Sequence, residues 1–118
     1  MKTCINGATT MPYSLEEDIK SAGAVGFQEV EIWTSKLDEY LKTHSTADLR
    51  ELLERTGVSP AALCPCGISF FGDVDTALAQ LEQRAKTADE IGCPVLLVCP
   101  DAPPGDMPLD QAFDKAAG

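Results

Sequence analysis

The chain has 118 residues, of which 44% are hydrophobic and 24% charged, a composition typical of one folded domain and not of a disordered or fibrous chain. Nine Lys and Arg against nineteen Asp and Glu give a formal net charge of −10. Nucleic acid and anionic membranes attract concentrated positive charge, so neither is an expected partner. The start, MKTCING, lacks the apolar core of a signal peptide, and no apolar run approaches the roughly 18 residues that span a bilayer, so we expect a cytoplasmic protein.

The first predicted unit is a strand over residues 3–8 followed by a helix. Ser14 and Glu17 stand at the spacing of a capping box, in which each satisfies the other's backbone N–H. The apolar residues that follow at helical spacing are Leu15, Ile19 and Ala22. Gly26 is placed to end this helix in a left-handed conformation.

The second predicted strand covers residues 26–33. Its residues alternate, so Val30 and Ile32 share one face while Glu29, Glu31 and Trp33 share the other. A short helix over residues 35–41 and a second one from Ser45 or Thr46 to Gly57 are predicted next.

The third predicted strand lies within residues 58–66 and is expected to be short, because it carries Pro60 and Pro65. Asp73 begins the clearest helix, whose apolar face repeats at helical spacing until Gly92. The run from Cys93 to Cys99 is continuously apolar, which predicts a strand covered on both faces. A loop over residues 101–107 leads to a last helix starting at Pro108.

The glycines that end helices recur at intervals of 31 and 35 residues (Gly26, Gly57 and Gly92). This interval is the length of one βα unit, so the pattern predicts four parallel strands, each followed by a helix. The pattern alone leaves open whether the sheet is flat or curled. Neither GxGxxG nor GxxxxGK[ST] occurs in the chain, so no phosphate-binding loop is predicted.

The cysteines are odd in number and spread through apolar stretches (Cys4, Cys64, Cys66, Cys93 and Cys99). They fit reduced, buried thiols better than a disulfide framework. A zinc site formed by Cys64, Cys66, Cys99 and the single histidine, His44, is a weaker alternative, because Cys-x-Cys is not the usual chelating spacing.

Four segments in order, CINGATTMPYSLEEDI, AGAVGFQEVEIW, LCPCGISFFGD and EIGCPVLLVCPDAPP, resemble the amino-terminal half of sugar phosphate isomerases and epimerases of the xylose isomerase-like TIM-barrel family. The most specific piece is GFQEVEIW, which is similar to the family's second strand. The resemblance implies half of a TIM barrel with four strands over residues 1–118, broken off in the fourth helix, since a whole barrel needs about 250 residues.

The resemblance also implies an activity, in which a proton shifts between adjacent carbons of a sugar or sugar phosphate through an enediolate. The family's divalent metal (Mn, Mg, Co or Zn) and its acid–base groups come from strands five to eight. We therefore expect no catalytic residue and no cofactor in this chain, and either a homo-oligomer or a completing half-barrel as its partner.

Substrate in a barrel sits at the carboxyl ends of the strands. The residues predicted to contact it there are Asn6, Glu31, Trp33, Cys66, Phe70 and Asp101. Each has a structural alternative: Asn6 as a strand-end residue that satisfies local backbone, Asp101 as a turn residue, Glu31 as a buried hydrogen-bonded carboxylate, Cys66 as a small buried apolar residue, and the two aromatic residues as packing.

Two other functions stay open at this point. A half-barrel leaves open sheet edges and an exposed inner face, which favour a stand-alone structural or binding module that dimerises. The abasic-site endonuclease branch of the same superfamily is the least favoured, because it uses histidines where this chain has Cys66 and Cys99 and because it is expected to be basic.

Overall fold

The computed structural model describes residues 1–118, which form one four-stranded parallel sheet in the order β1-β2-β3-β4. The strands are β1 (Cys4–Asn6), β2 (Glu29–Trp33), β3 (Ser59–Ile68) and β4 (Leu96–Pro100). The helices are a 3₁₀ turn (Gly7–Thr10), α1 (Leu15–Val25), α2 (Thr34–Tyr40), α3 (Thr46–Thr56), α4 (Val74–Ile91) and α5 (Leu109–Ala117). None of these helices combines the length and the apolar character that crossing a membrane requires.

Helices α1 to α4 pack against one face of the sheet. Strand residues Val30, Ile32 and Leu63 are fully buried and belong to a single core cluster with apolar residues of α1 to α4. Because successive strand residues point to opposite faces, Glu31 and Trp33 lie on the other face, which we call the inner face. Sequential strand order with helices on one side is the arrangement of half a (β/α)₈ barrel.

The predicted helix boundaries are confirmed by the caps. Ser14 with Glu17 and Ser45 with Asp48 each form a complete capping box, in which the serine hydroxyl accepts the third backbone N–H of the helix. The three helix-ending glycines all adopt positive φ, as expected for left-handed caps (Gly26, Gly57 and Gly92).

The third strand is longer than predicted, because β3 has ten residues and contains both prolines. The pairing of β2 with β3 slips between Val30 and Glu31, beside Pro60. The pairing of β3 with β4 slips between Leu63 and Cys66, across Pro65. A proline has no N–H to give to a regular ladder, so these irregularities allow the strand to continue through it.

Two other strand predictions need correction. Gly7 and Ala8 belong to the 3₁₀ turn and not to β1, since the Asn6 side chain caps this turn. The fourth strand is not covered on both faces: β4 is an edge strand, and Leu97 and Val98 are 40% and 42% exposed. The apolar pattern of this segment therefore marks a surface that this chain alone leaves uncovered.

Candidate functional site

Asn6 and Glu31 meet on the inner face at the carboxyl ends of β1 and β2, where they are direct partners in the strand register. The Asn6 Oδ1 atom accepts the backbone N–H of Ala8 at 2.7 Å, which fixes the orientation of the amide. Its Nδ2 atom then donates to Glu31 Oε1. The structure thus brings together two predicted site residues, and both are half-buried.

Trp33 ends β2 on the same face and precedes α2 directly. The 3₁₀ turn packs tightly against it, because a Cβ added to Gly7 would lie 3.2 Å from the Trp33 Cβ. Glycine at this position lets the first loop approach the second strand closely. Trp33 therefore stands at the mouth of the inner face, half-buried, next to the Asn6–Glu31 pair.

Cys64 is a site residue that the sequence analysis missed. It pairs in register with Trp33, on the face of the sheet that carries Glu31. Burial, followed by the hydrogen bond and the negative charge of Glu31, raises the pKa of Cys64 to about 11. This cysteine is therefore a neutral thiol that lines the inner face.

Cys66 does not join this surface. It is 1% exposed and belongs to the helix-side core, where burial raises the pKa of its thiol. Strand alternation predicts one face for Cys64 and Cys66, but the slip across Pro65 turns them to different surroundings. No regular sequence signal marks such a slip, although a proline inside an apolar strand points to where one is needed.

Asp101 joins the loops that follow β3 and β4. Its carboxylate accepts the Ser69 hydroxyl at 2.6 Å, the Phe70 N–H at 2.8 Å and the Phe71 N–H at 3.3 Å. The hydrogen bond from Ser69, followed by that from Phe70, lowers the pKa of Asp101. Both carboxylate oxygens are used, so Asp101 fixes the backbone position of Phe70 across the two loops, and these contacts are not the local turn bonds of its structural alternative.

No three His, Cys, Asp or Glu side chains are grouped so that they could hold a metal ion. The residues present do not fit the metal that the family resemblance implies. His44 is exposed and stacks on Tyr40, with ring centroids 4.3 Å apart. The zinc alternative built on His44, Cys64, Cys66 and Cys99 has no support in this geometry.

A cleft of about 570 Å³ lies between the loop after β1 and helix α2. It is lined by Tyr13, Lys36, Tyr40 and His44 among others, and it contains none of the predicted site residues. This cleft does not extend onto the inner face. The candidate site is accordingly an open surface centred on the Asn6–Glu31 pair.

Four parallel βα units with their helices on one side define this chain as half of a TIM barrel. The chain is 33% identical over 107 residues to an inosose isomerase of Bacillus velezensis, a match that covers 85% of this chain and 38% of that protein. A crystal structure of an IolI protein with a bound zinc atom superimposes with a TM-score of 0.83 at 26% identity, over 98% of this chain and 43% of that one.

A xylose isomerase domain protein of Alicyclobacillus acidocaldarius shares the fold, with a TM-score of 0.77 at 20% identity, over 99% of this chain and 42% of that one. No protein-family profile matches the chain. The chain spans about two fifths of the length of the relatives it matches. Over that part of their length, the chain is similar in sequence and fold to the xylose isomerase-like superfamily of TIM-barrel proteins.

Proposed function

We propose that residues 1–118 form the amino-terminal half of a metal-dependent sugar isomerase or epimerase, whose substrate is a polyhydroxy ketone of the inosose type. The observation that carries this proposal is the 33% identity to inosose isomerase over 85% of the chain. The half-barrel fold and the polar pair on the inner face agree with it. A phosphate group on the substrate has no evident binding loop in this chain.

The proposed reaction needs no external oxidant. A base removes the proton from the carbon beside the ketone, and the electron pair forms the enediolate double bond. The proton then returns to the former carbonyl carbon, while the hydroxyl proton crosses to the other oxygen. A divalent metal held by ligands outside this chain would supply electrostatic stabilisation of negative charge on oxygen.

Within this scheme the chain supplies a binding wall. The Glu31 carboxylate, held by Asn6, accepts hydrogen bonds from substrate hydroxyls. Trp33 offers an apolar surface to the carbon skeleton, and Phe70, fixed through Asp101, covers the outer end of the pocket. In this proposal the metal ligands and the acid–base groups lie outside this chain, as the family resemblance implies. Those groups are proposed to come from a second set of four βα units.

Two measurements test the proposal. The purified chain, supplied with Mn²⁺ or Mg²⁺, is expected to show no inosose isomerisation; turnover by the chain alone would contradict this division of roles. The positive test is a chimera in which residues 1–118 replace the matching segment of the Bacillus velezensis inosose isomerase. The chimera is expected to isomerise inosose.

Glu31→Gln in the chimera is expected to lower kcat/KM by about tenfold to a hundredfold, since one charged hydrogen bond to substrate is worth about 1.5–3 kcal/mol. Glu29→Gln is the matched control, because Glu29 lies on the same strand but pairs with Lys2 at the other end. Equal effects of the two substitutions would contradict a substrate role for Glu31.

A second candidate function is a half-barrel that associates with its own copy. Its support is the uncovered β4 edge, with Leu97 and Val98 exposed beside Val95. Parallel pairing of β4 with β1 of a second copy, at both edges, would close eight strands. Light scattering at micromolar concentration is then expected to give twice the 12.6 kDa of one chain; the mass of a single chain would contradict it.

A further inference from the structure

Lys36 and Asp18 form an ion pair inside the protein, away from the inner face. Their side chains are 6% and 3% exposed, and Lys36 Nζ lies 2.6 Å from Asp18 Oδ2. The second oxygen of Asp18 is buried without a hydrogen-bond partner. Burying two charges costs several kcal/mol per ion, and an incompletely satisfied pair does not recover that cost well. A contribution to folding stability therefore does not explain why a lysine is buried at this position.

The lysine has a second set of contacts that reaches the first loop. Its Nζ also donates to the carbonyl oxygen of Thr10 at 2.7 Å and to the Thr10 hydroxyl at 3.2 Å. Thr10 is the last residue of the 3₁₀ turn, and its hydroxyl in turn donates to the Gly7 carbonyl at 3.2 Å. Lys36 thus ties the end of this turn to helices α1 and α2.

The start of the same turn is the Asn6 cap. Asn6 Oδ1 accepts the Ala8 N–H, which leaves Nδ2 pointing at Glu31. If the turn shifted at Thr10, the Ala8 N–H would move and the Asn6 amide would lose the contact that orients it. A continuous set of hydrogen bonds therefore links the buried lysine to the carboxylate on the inner face.

We propose that Lys36 is a positioning residue, which fixes the Asn6–Glu31 pair through the 3₁₀ turn between them. The inference deepens the proposed function, since it assigns the geometry of that binding pair to a residue outside the pocket. The physical linkage itself does not depend on which substrate is bound, so it can be tested without turnover.

The test uses the side-chain amide signals of Asn6 in nitrogen–proton NMR spectra of the whole chain. The double variant Lys36→Met with Asp18→Leu removes both buried charges, and Glu31→Ala gives the signal position of an Asn6 amide without its acceptor. We expect the double variant to move the Asn6 signals more than halfway towards that reference. Lys42→Met is the matched control and is expected to leave them in place, because Lys42 pairs with Glu39 on the surface.

Asn6 signals that stay at the wild-type position in a double variant with intact β3 backbone signals would overturn the proposal. If the double variant does not fold, Thr10→Val tests the proposal instead. It removes one contact of Lys36 and the bond to Gly7 while leaving the ion pair, and it is expected to shift the same signals in the same direction; no shift would overturn the proposal. Failure of the chimera to isomerise inosose leaves this result unaffected, so the two proposals fail separately.

Discussion

The thiol of Cys64 gives a direct test of the geometry on the inner face. Its pKa is raised to about 11 by burial and by the neighbouring Glu31 carboxylate. At pH 8 about one Cys64 in a thousand is then a thiolate, against about one in four for an unperturbed cysteine with a pKa of about 8.5. The reactive fraction is thus lower by a factor of about 200.

Part of this difference is offset, because a thiolate with a higher pKa is a stronger nucleophile. The logarithm of its rate constant rises by about 0.4–0.5 for each unit of thiol pKa. For a thiol pKa that is higher by about 2.5, the rate constant of the thiolate is larger by a factor of about 13. Cys64 is therefore expected to exchange with a small disulfide roughly 20-fold more slowly than a free thiol at pH 8. Peptide-resolved mass spectrometry of the mixed disulfides measures this rate, with the exposed Cys99 as the internal comparison.

The pH dependence separates ionisation from access. The logarithm of the Cys64 rate is expected to rise in proportion to pH through pH 10, and a plateau between pH 8 and 9 would refute the reasoning. Glu31→Gln removes the hydrogen bond and the charge but not the burial, so it is expected to lower the Cys64 pKa without restoring an ordinary value. Glu29→Gln, at the other end of the strand, is expected to leave the profile unchanged.

Two further predictions concern the supporting structure. Gly23→Ala places a Cβ 2.8 Å from the Thr56 carbonyl oxygen. This crowding costs about 1–3 kcal/mol, while alanine gains about 1 kcal/mol of helix propensity. Chemical denaturation is therefore expected to show a free energy of unfolding that is lower by about 1 kcal/mol. Gly67→Ala, with no atom within 4 Å, is the control and is expected to cause no such loss. Asp101 has a lowered pKa, so its carboxylate stabilises the loop above about pH 4, its ordinary range, and this contribution is lost as pH falls through the lower folded value. Asp101→Asn is therefore expected to lower the hydrogen-exchange protection factors of the loop amides after β3 at pH 7 and to remove the acid dependence of those factors; unchanged protection in this variant would contradict the role given to Asp101.

The local elements of this fold were predictable because their signals lie in neighbouring residues. A capping box such as Ser14 with Glu17, or a glycine such as Gly92 after an apolar helix face, is defined within one helical turn. The repeat of these signals then predicts parallel βα units. Burial of β4 was not predictable in the same way, because an apolar strand looks alike whether this chain or a further segment covers it.

The site was predictable only in part. Asn6 and Glu31 could be expected on one surface, since they lie on neighbouring strands, towards the carboxyl ends, and on the face opposite to Val30. The faces of Cys64 and Cys66 depend on a slip in strand pairing, which is a property of two strands together and not of either sequence. Lys36 reads as a surface lysine, because nothing nearby in sequence indicates that Asp18 and Thr10 enclose it.

The most direct test of the central claim, that this chain is the substrate-binding half of an isomerase barrel, is inosose turnover by the chimera that carries residues 1–118. The account predicts measurable isomerisation that Glu31→Gln reduces and Glu29→Gln does not. A folded chimera with its metal bound and no isomerisation of inosose would contradict it.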